Sequence, residues 1–410
     1  MKILVLGSGG REHAIAWKMA QSPGVAVYGA PGNPGFAKIG TCVPLKSTTP
    51  EAFLAIAETI NADLTVVGPE APLVAGVADL FRARGRRIVG PTQSAARLEG
   101  SKIFAKYFLT KSNIPTAAFV TADNEPAARK ALDRFGYPVV LKADGLAGGK
   151  GVVIAHDFAE AEIALKQVRP PLVIEEFLVG EEVTFIGVCD GRDVLPLAPS
   201  QDHKAVFDSD TGPNTGGMGA YSDSRILNEY QIQEILSRVM YPAVEATQFT
   251  GFLYAGLMLT TAGPKVLEFN VRMGDPETQP LLHRMTSDFV PALLAASDQT
   301  IRDVKLQWRA DPSVCVVMAS GGYPGAYEIG KTISGIELAE VDGVTVFHAG
   351  TRIGKAGLET AGGRVLGVTA SGADLSTAIQ AAYRGVGHIH FDGMHYRSDI
   401  GQKGLRRQSA

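Results

Sequence analysis

The chain is poor in cysteine. Cys42, Cys189 and Cys315 are odd in number and far apart, which sets aside a disulfide framework and a cysteine-built metal site and points to a reducing, cytoplasmic compartment. An excess of one charge is also missing. Lys and Arg number 39 against 42 Asp and Glu, a net of −3, so there is no general attraction to nucleic acid. The basic cluster FRARGRR (Arg82, Arg84, Arg86, Arg87) reads as a solvated helix end. No apolar run approaches the roughly 20 residues of a membrane span, and Met1 to Leu6 is too short for a signal peptide. Internal repeats, low-complexity linkers and any Ser-His-Asp or Cys-His arrangement are absent. His388, His390 and His395 have no cysteine or acid at metal spacing.

Glycine, in contrast, is plentiful at 47 of 410 residues, and its placement is informative. The chain opens with an apolar run, Lys2 to Leu6, then turns at Gly7, Gly9 and Gly10 in GSGGREHA before a helical stretch from Glu12 to Ala20. Strand, glycine turn and helix N-terminus together make an anion seat, because unpaired N–H groups and the helix dipole converge there. The dinucleotide fingerprint would need glycine where Glu12 stands and an acid about 20 residues further on. No Asp or Glu lies between Glu12 and Glu51. The turn therefore suits one phosphate on a small molecule.

The fold class expected is multi-domain α/β. Residues 1–100 alternate short apolar strands (ILVL, VAVYGA, LTVVG, RRIVG) with helical patterns, as in a parallel α/β domain whose glycine turns converge on one crevice. Ser101 is placed to cap a helix from Lys102 to about Ser112. Residues 115–184 read as a compact unit of four strands and two helices. Residues 101–114 and 185–309 supply a mostly antiparallel central sheet, and residues 310–410 a small C-terminal mixed α/β domain.

Four segments carry chemistry. In PVVLKADGLAGGKGVVIA, two β-branched runs flank a loop with Lys142, Asp144, Gly145, Gly148, Gly149, Lys150 and Gly151. The P-loop pattern fails, since it needs glycine at Asp144 and a hydroxyl at Gly151. A glycine hairpin folding over phosphates, with backbone N–H donors and lysine point charges, fits better than a bare surface hairpin. In KVLEFNVRMGDPETQ, period-two alternation puts Glu268, Asn270 and Arg272 on one face, opposite Leu267, Phe269 and Val271. A carboxylate, an amide oxygen and a guanidinium in a row suit Mg²⁺ and a transferring phosphoryl group, or else a half-solvated strand with cross-strand ion pairs. In VIEEFLVGEEV, Glu175, Phe177, Leu178 and Glu182 could meet an adenine edge and ribose hydroxyls, or form only a solvated acidic turn. The loop QDHKAVFDSDTGPNTGGMGAYS offers Asp202, Lys204 and Thr215, Gly216, Gly217, Met218 and Gly219 to a polar substrate.

Taken in order, GSGGREHA, GPE, LKADGLAGGKGV, EEFLVGEE, QDHK with TGPNTGGMGAYS, and LEFNVRMGDPETQ resemble the phosphoribosylamine–glycine ligases, also called glycinamide ribonucleotide synthetases, of the ATP-grasp superfamily. The resemblance spans nearly the whole chain. It implies a pre-ATP-grasp N-terminal domain, an ATP-grasp core of two α+β subdomains with residues 115–184 as the small lid, and ligation of glycine to 5-phosphoribosylamine through a glycyl phosphate, in purine biosynthesis. It further implies that Lys102 and Lys142 contact ATP phosphates under the Asp144 to Gly151 hairpin, and that Glu175, Phe177 and Leu178 line the adenine hinge. Glu182 would hold the ribose, Glu268 and Asn270 would bind Mg²⁺ or Mn²⁺, and Arg272 would stabilise the transferred phosphoryl. Gly9, Gly10, Arg11, Glu12, Asn33 and Glu70 would hold the phosphoribosylamine, while Asp202, Lys204 and the Thr215 to Gly219 loop approach the amine and glycine. A monomer touching neighbouring purine-pathway enzymes is the expected setting. Another ATP-grasp carboxylate–amine ligase, or a nucleotide-binding regulator without turnover, stays open as an alternative.

Overall fold

A computed structural model describes residues 1–146, 151–341 and 343–409. Among these, five parallel strands form the N-terminal sheet in the order Thr41–Cys42, Ala26–Pro31, Lys2–Gly7, Leu64–Val67, Ile88–Val89. The strand order reverses beside the opening strand, so the crevice at its carboxyl end lies at a switch point, where α/β sheets bind ligands. Gly68 completes this crevice, because a Cβ there would collide with the Glu12 carboxylate. The opening helix runs Gly10–Met19, two residues earlier than the sequence reading placed its start. The cause is local: Glu12 reaches back to the Gly9 amide at 2.5 Å and draws the first turn into the helix. Ser101 caps Lys102–Lys111 as expected, its hydroxyl accepting from the Phe104 amide at 3.1 Å.

The lid is an antiparallel sheet ordered Phe119–Ala122, Leu172–Glu176, Val139–Ala143, Val152–Ala155, with helices Glu125–Leu132 and Phe158–Gln167 over it. Ala128, Leu132, Leu141, Leu165 and Ile174 give it a core of its own.

The central sheet is larger than the sequence suggested. Its order is Gly263–Asn270, Thr250–Thr260, Glu181–Asp190, Ser200–Asp202, Gly219–Ser222, Ser313–Ser320, Arg364–Ser371, Thr345–His348, so the C-terminal strands continue the same hydrogen-bonded surface. The junction is the antiparallel ladder from Gly219↔Val316 to Ser222↔Ser313. Registers across three strands set Thr184 beside Gly256 and Glu268, and Ile186 beside Tyr254 and Asn270. Because side chains alternate along a strand, Glu182, Thr184, Tyr254, Glu268 and Asn270 share one face. The alternation read from the sequence breaks at Leu267. The ladder steps from Gly256↔Glu268 to Leu257↔Val266, leaving Leu267 as a bulge. Among the described residues no helix is long and apolar enough to cross a membrane.

Candidate functional site

The base of the lid hairpin and the bulged strand meet directly. Lys142, near the end of Val139–Ala143, donates to the Leu267 carbonyl at 3.0 Å, and that carbonyl faces the lid because the bulge turns it there. Lys142 also pairs with Glu175, which pairs in turn with Lys106; all three side chains are at most 8% exposed. Burial pulls Lys106 from 10.5 down to about 8, despite the support of Glu175. Glu175 thus fixes two lysines from the lid strand Leu172–Glu176, while Phe177 is exposed and Leu178 buried just past the strand end. Asp144 accepts from the Ser101 hydroxyl at 3.0 Å and the Ile103 amide at 3.1 Å, docking the hairpin on a helix N-terminus. Lys102 donates to the Gly145 carbonyl at 2.8 Å, and the Ala143 amide to the Gly151 carbonyl at 2.8 Å. Gly148, Gly149 and Lys150 lie outside the described residues.

Glu268 stands at the centre of this cradle. Burial alone would raise its carboxyl, yet Lys204, Lys142, Lys102 and Arg272 together hold it below the ordinary value. An ionised carboxylate ringed by cations is what a metal shared with a polyphosphate needs: the oxygen ligates the ion and the cations meet the phosphates. Gly256, its ladder partner, keeps the space open, since a Cβ there would sit 3.3 Å from Glu268 Cγ. Asn270 presents its amide oxygen on the same face, where Arg272 Nη2 donates to it at 3.1 Å. The donor set Glu268 and Asn270 is all oxygen and fits Mg²⁺ or Mn²⁺.

Arg272 links this cradle to the N-terminal crevice. Its Nη2 lies 2.9 Å from Glu99 and its Nε 3.4 Å from Glu70. Burial raises the Glu99 carboxyl in spite of Arg272, whereas Glu70 is held down because Arg272 and Arg11 outweigh its burial. In the crevice, Arg11 Nη1 donates to the Met273 carbonyl at 3.2 Å and its Nε to Glu12 at 2.6 Å. Asn33 ties the Ser8 and His348 carbonyls together, at 2.8 Å each. A Cβ on Gly10 would lie 2.8 Å from Gln279 Nε2 and 3.8 Å from Asp275 Oδ1.

Asp202 and Lys204 flank the cradle from the other side. Lys204 pairs with Glu182 and lies 3.8 Å from Asp202. Burial, with Glu277 and Glu182 nearby, pushes the Asp202 carboxyl up to about 7 against the pull of Lys204. The loop base closes when Thr215 donates to the Lys204 carbonyl through both its amide and its hydroxyl, each at 2.8 Å. Gly217 holds φ +114, a conformation that favours glycine.

The sequence reading missed several residues here. Tyr254 donates to Glu277 at 2.7 Å within the same face. Arg364 Nη1 donates to the Gly216 carbonyl at 2.7 Å and the Asp275 carbonyl at 2.6 Å, and its Nη2 meets the Asp275 carboxylate at 2.8 Å. Asp275 and Glu277 were within reach, since both lie in the quoted DPETQ. Arg364 and Glu99 carry no local signature.

Comparison with known proteins identifies the family of the chain. Residues 1–99, 100–278 and 313–403 match the N, ATP-grasp (A) and C domains of phosphoribosylglycinamide synthetase. The phosphoribosylamine–glycine ligase of Escherichia coli strain K12 is 49% identical over 427 residues, covering 100% of both chains. That of Ralstonia nicotianae is 48% identical over 99% of this chain and 100% of its own length. The crystal structure of the Thermotoga maritima phosphoribosylamine–glycine ligase superposes with a TM-score of 0.83 at 35% identity, covering 97% of this chain and 100% of that one. A biotin carboxylase domain from Hydrogenobacter thermophilus, solved with MgADP and bicarbonate, shares the fold at 16% identity over 96% of this chain and 91% of its own, with a TM-score of 0.73. With all three domains matched in order over nearly its full length, the chain belongs to the phosphoribosylglycinamide synthetase family.

Proposed function

We propose that this chain joins glycine to 5-phosphoribosylamine using ATP, giving glycinamide ribonucleotide, ADP and phosphate in purine biosynthesis. The observation that carries the reading is contiguity. Lys142 touches the strand of Glu268 at the bulged Leu267 carbonyl, and Arg272, five residues past that bulge, reaches Glu70 in the crevice. Phosphate-binding, metal-binding and sugar-phosphate groups therefore line one cleft. We place the enzyme in the cytoplasm as a monomer; its free cysteines support the reducing compartment.

A carboxylate is a poor electrophile, so glycine is activated first. Its carboxylate oxygen attacks the γ-phosphorus, the bond to the β-phosphate oxygen breaks, and ADP leaves. The amine nitrogen of phosphoribosylamine then attacks the acyl carbon, loses a proton and displaces phosphate. No protein nucleophile is required, and catalysis is positioning plus electrostatic stabilisation. Lys102 and Lys142 face the triphosphate, held in place by the Gly145 carbonyl and by Glu175. Backbone groups at Phe177 and Leu178 meet the adenine edge. Glu182 takes the ribose hydroxyls, in competition with Lys204. Glu268 and Asn270 would hold a divalent cation, which when bound supplies charge neutralisation to the phosphates. Arg272 meets the transferred phosphoryl group. The Gly10 and Arg11 amides, in a helix first turn without intrahelical partners, receive the 5-phosphate, with Gly9, Glu12, Asn33 and Glu70 shaping the crevice. Asp202, Lys204 and the Thr215 to Gly219 loop close on glycine.

The direct test is incorporation of labelled glycine. It should require both ATP and phosphoribosylamine, and phosphate release without incorporation would overturn the reading. Gly10→Val tests the crevice separately. The added branches crowd Gln279 and Asp275, so the KM for phosphoribosylamine should rise about ten-fold or more while that for ATP moves less than about two-fold. A shift in ATP's constant instead would remove the opening turn from the sugar-phosphate site.

A further inference from the structure

The C-terminal segment YRSDIGQK carries a buried arginine that the mechanism above leaves unused. Arg397 has a side-chain exposure of 0%. Its Nε and Nη2 grip the Asp399 carboxylate at 2.7 and 2.8 Å, and its Nη1 donates to Asp210 at 3.0 Å and to the Ala205 carbonyl at 3.1 Å. Ala205 is the residue after Lys204. The same segment holds the 203–210 stretch at four further points. Asp399 accepts from the Ser209 amide at 2.9 Å, and Asp208 from the Ser398 amide at 2.8 Å. Lys403 meets Asp210 at 2.9 Å, and the Gly401 amide donates to His203 Nε2 at 3.3 Å.

This clasp holds a backbone that would not hold itself. Ser209 and Asp210 stand at φ +58 and +55, adjacent left-handed conformations at non-glycine residues. Such pairs persist where the surroundings over-determine them, and here the surroundings are the arginine fork and the Asp399 acceptor. The turn is the tip of a hairpin, Ala205–Phe207 against Thr211–Asn214, whose base is the Lys204–Thr215 contact. A displacement at the tip passes down two short strands to Lys204 on one side and to Thr215 and Gly216 on the other.

We propose that Arg397 is a positioning residue for ligation: by clamping Ala205 and the Ser209–Asp210 turn, it sets the Lys204 ammonium and the Thr215 to Gly219 loop for glycine. The inference rests on the reading that this loop meets glycine. Arg397→Lys keeps the charge but loses the fork, since an ammonium cannot pair bidentately and reach two further acceptors in the same geometry. It should raise the KM for glycine about ten-fold, with the KM for ATP unchanged within about two-fold. Because a buried lysine could prevent folding, Asp208→Ala serves as the second variant. Asp208 is exposed, its loss frees Ser398, and it should shift the glycine constant in the same direction by a smaller factor. Lys204→Met separates the two readings. If it leaves the glycine constant unchanged, the loop does not meet glycine and the clasp proposal falls with that reading. If Lys204→Met raises the glycine constant while Arg397→Lys and Asp208→Ala only lower the thermal midpoint, or raise all three KM values together, Arg397 is a structural anchor and the proposal fails by itself.

Discussion

Arg272→Ala should lower kcat by about 10²–10³-fold, or ~3–4 kcal/mol of transition-state stabilisation, while the KM for ATP changes less than about three-fold. The expectation follows from where the guanidinium sits. In the proposed arrangement it is on neither the lid nor the adenine hinge, so the adenine and the two inner phosphates do not depend on it. It stands two residues past Asn270, at the join between the Glu268 cradle and the Glu70 crevice, where charge moves from the γ-phosphate to the acyl phosphate. Removing it also strands Glu99, whose buried carboxylate has Arg272 as its strongest stabilising partner. Some loss of stability is therefore expected in the alanine variant. Arg272→Lys separates the effects, because it leaves a cation near Glu99 but removes the planar fork. It should fold with a near-normal midpoint and still lose most of the turnover. Steady-state kinetics with ATP and glycine varied in turn make the comparison. Equal losses in kcat and in ATP affinity would mean that Arg272 only anchors ground-state phosphate.

Much of this was legible in the sequence wherever the determining physics is local. Ser101 announced a helix start because a hydroxyl before KIFAKYF can only usefully accept from an amide of the first turn, and it does so from Phe104. Glu268 and Asn270 shared a face because strand alternation requires it. What stayed hidden depends on partners distant in sequence. Leu267 looked like any apolar residue of an alternating run. Its bulge exists because Thr250–Thr260 offers one residue fewer, and the functional consequence, a carbonyl for Lys142, comes from a strand 125 positions away. That the C-terminal strands continue the central sheet was hidden because nothing in SVCVVMAS says that its partner is GAYS. Arg364 was invisible for the same reason: it reads as the start of an ordinary strand and becomes informative only when Gly216 and Asp275 are seen against its guanidinium. Glu175 was read from its motif as a hinge residue, and only burial reveals it as the counter-charge of two lysines.

That position makes Glu175→Gln the substitution with the largest expected effect on stability, a loss of about 3–5 kcal/mol, because removing one partner leaves the others as uncompensated buried charge. The amide is nearly the same size, so no cavity term contributes and the change isolates electrostatics. Lys106 and Lys142 would then face each other inside the protein, 4% and 8% exposed, with no carboxylate between them. The relief available to them is to lose a proton. Lys106 is already drawn from 10.5 to about 8 by burial, and without Glu175 it must fall further. In the variant the folded state then sheds a proton that the unfolded chain keeps up to its ordinary pKa. The unfolded state binds more protons across that window, so the variant's stability rises with pH relative to the parent. The deficit, read as the difference in urea midpoints, should be largest near pH 6.5 and shrink toward pH 9. Activity should fall even where the protein is folded, since a neutral Lys106 and an unanchored Lys142 no longer hold the lid strand against Leu267. The KM for ATP should rise with it, in contrast to Arg272→Ala. A deficit independent of pH would mean that Glu175 acts through packing alone, and that the lysines find their counter-charge elsewhere in the cradle.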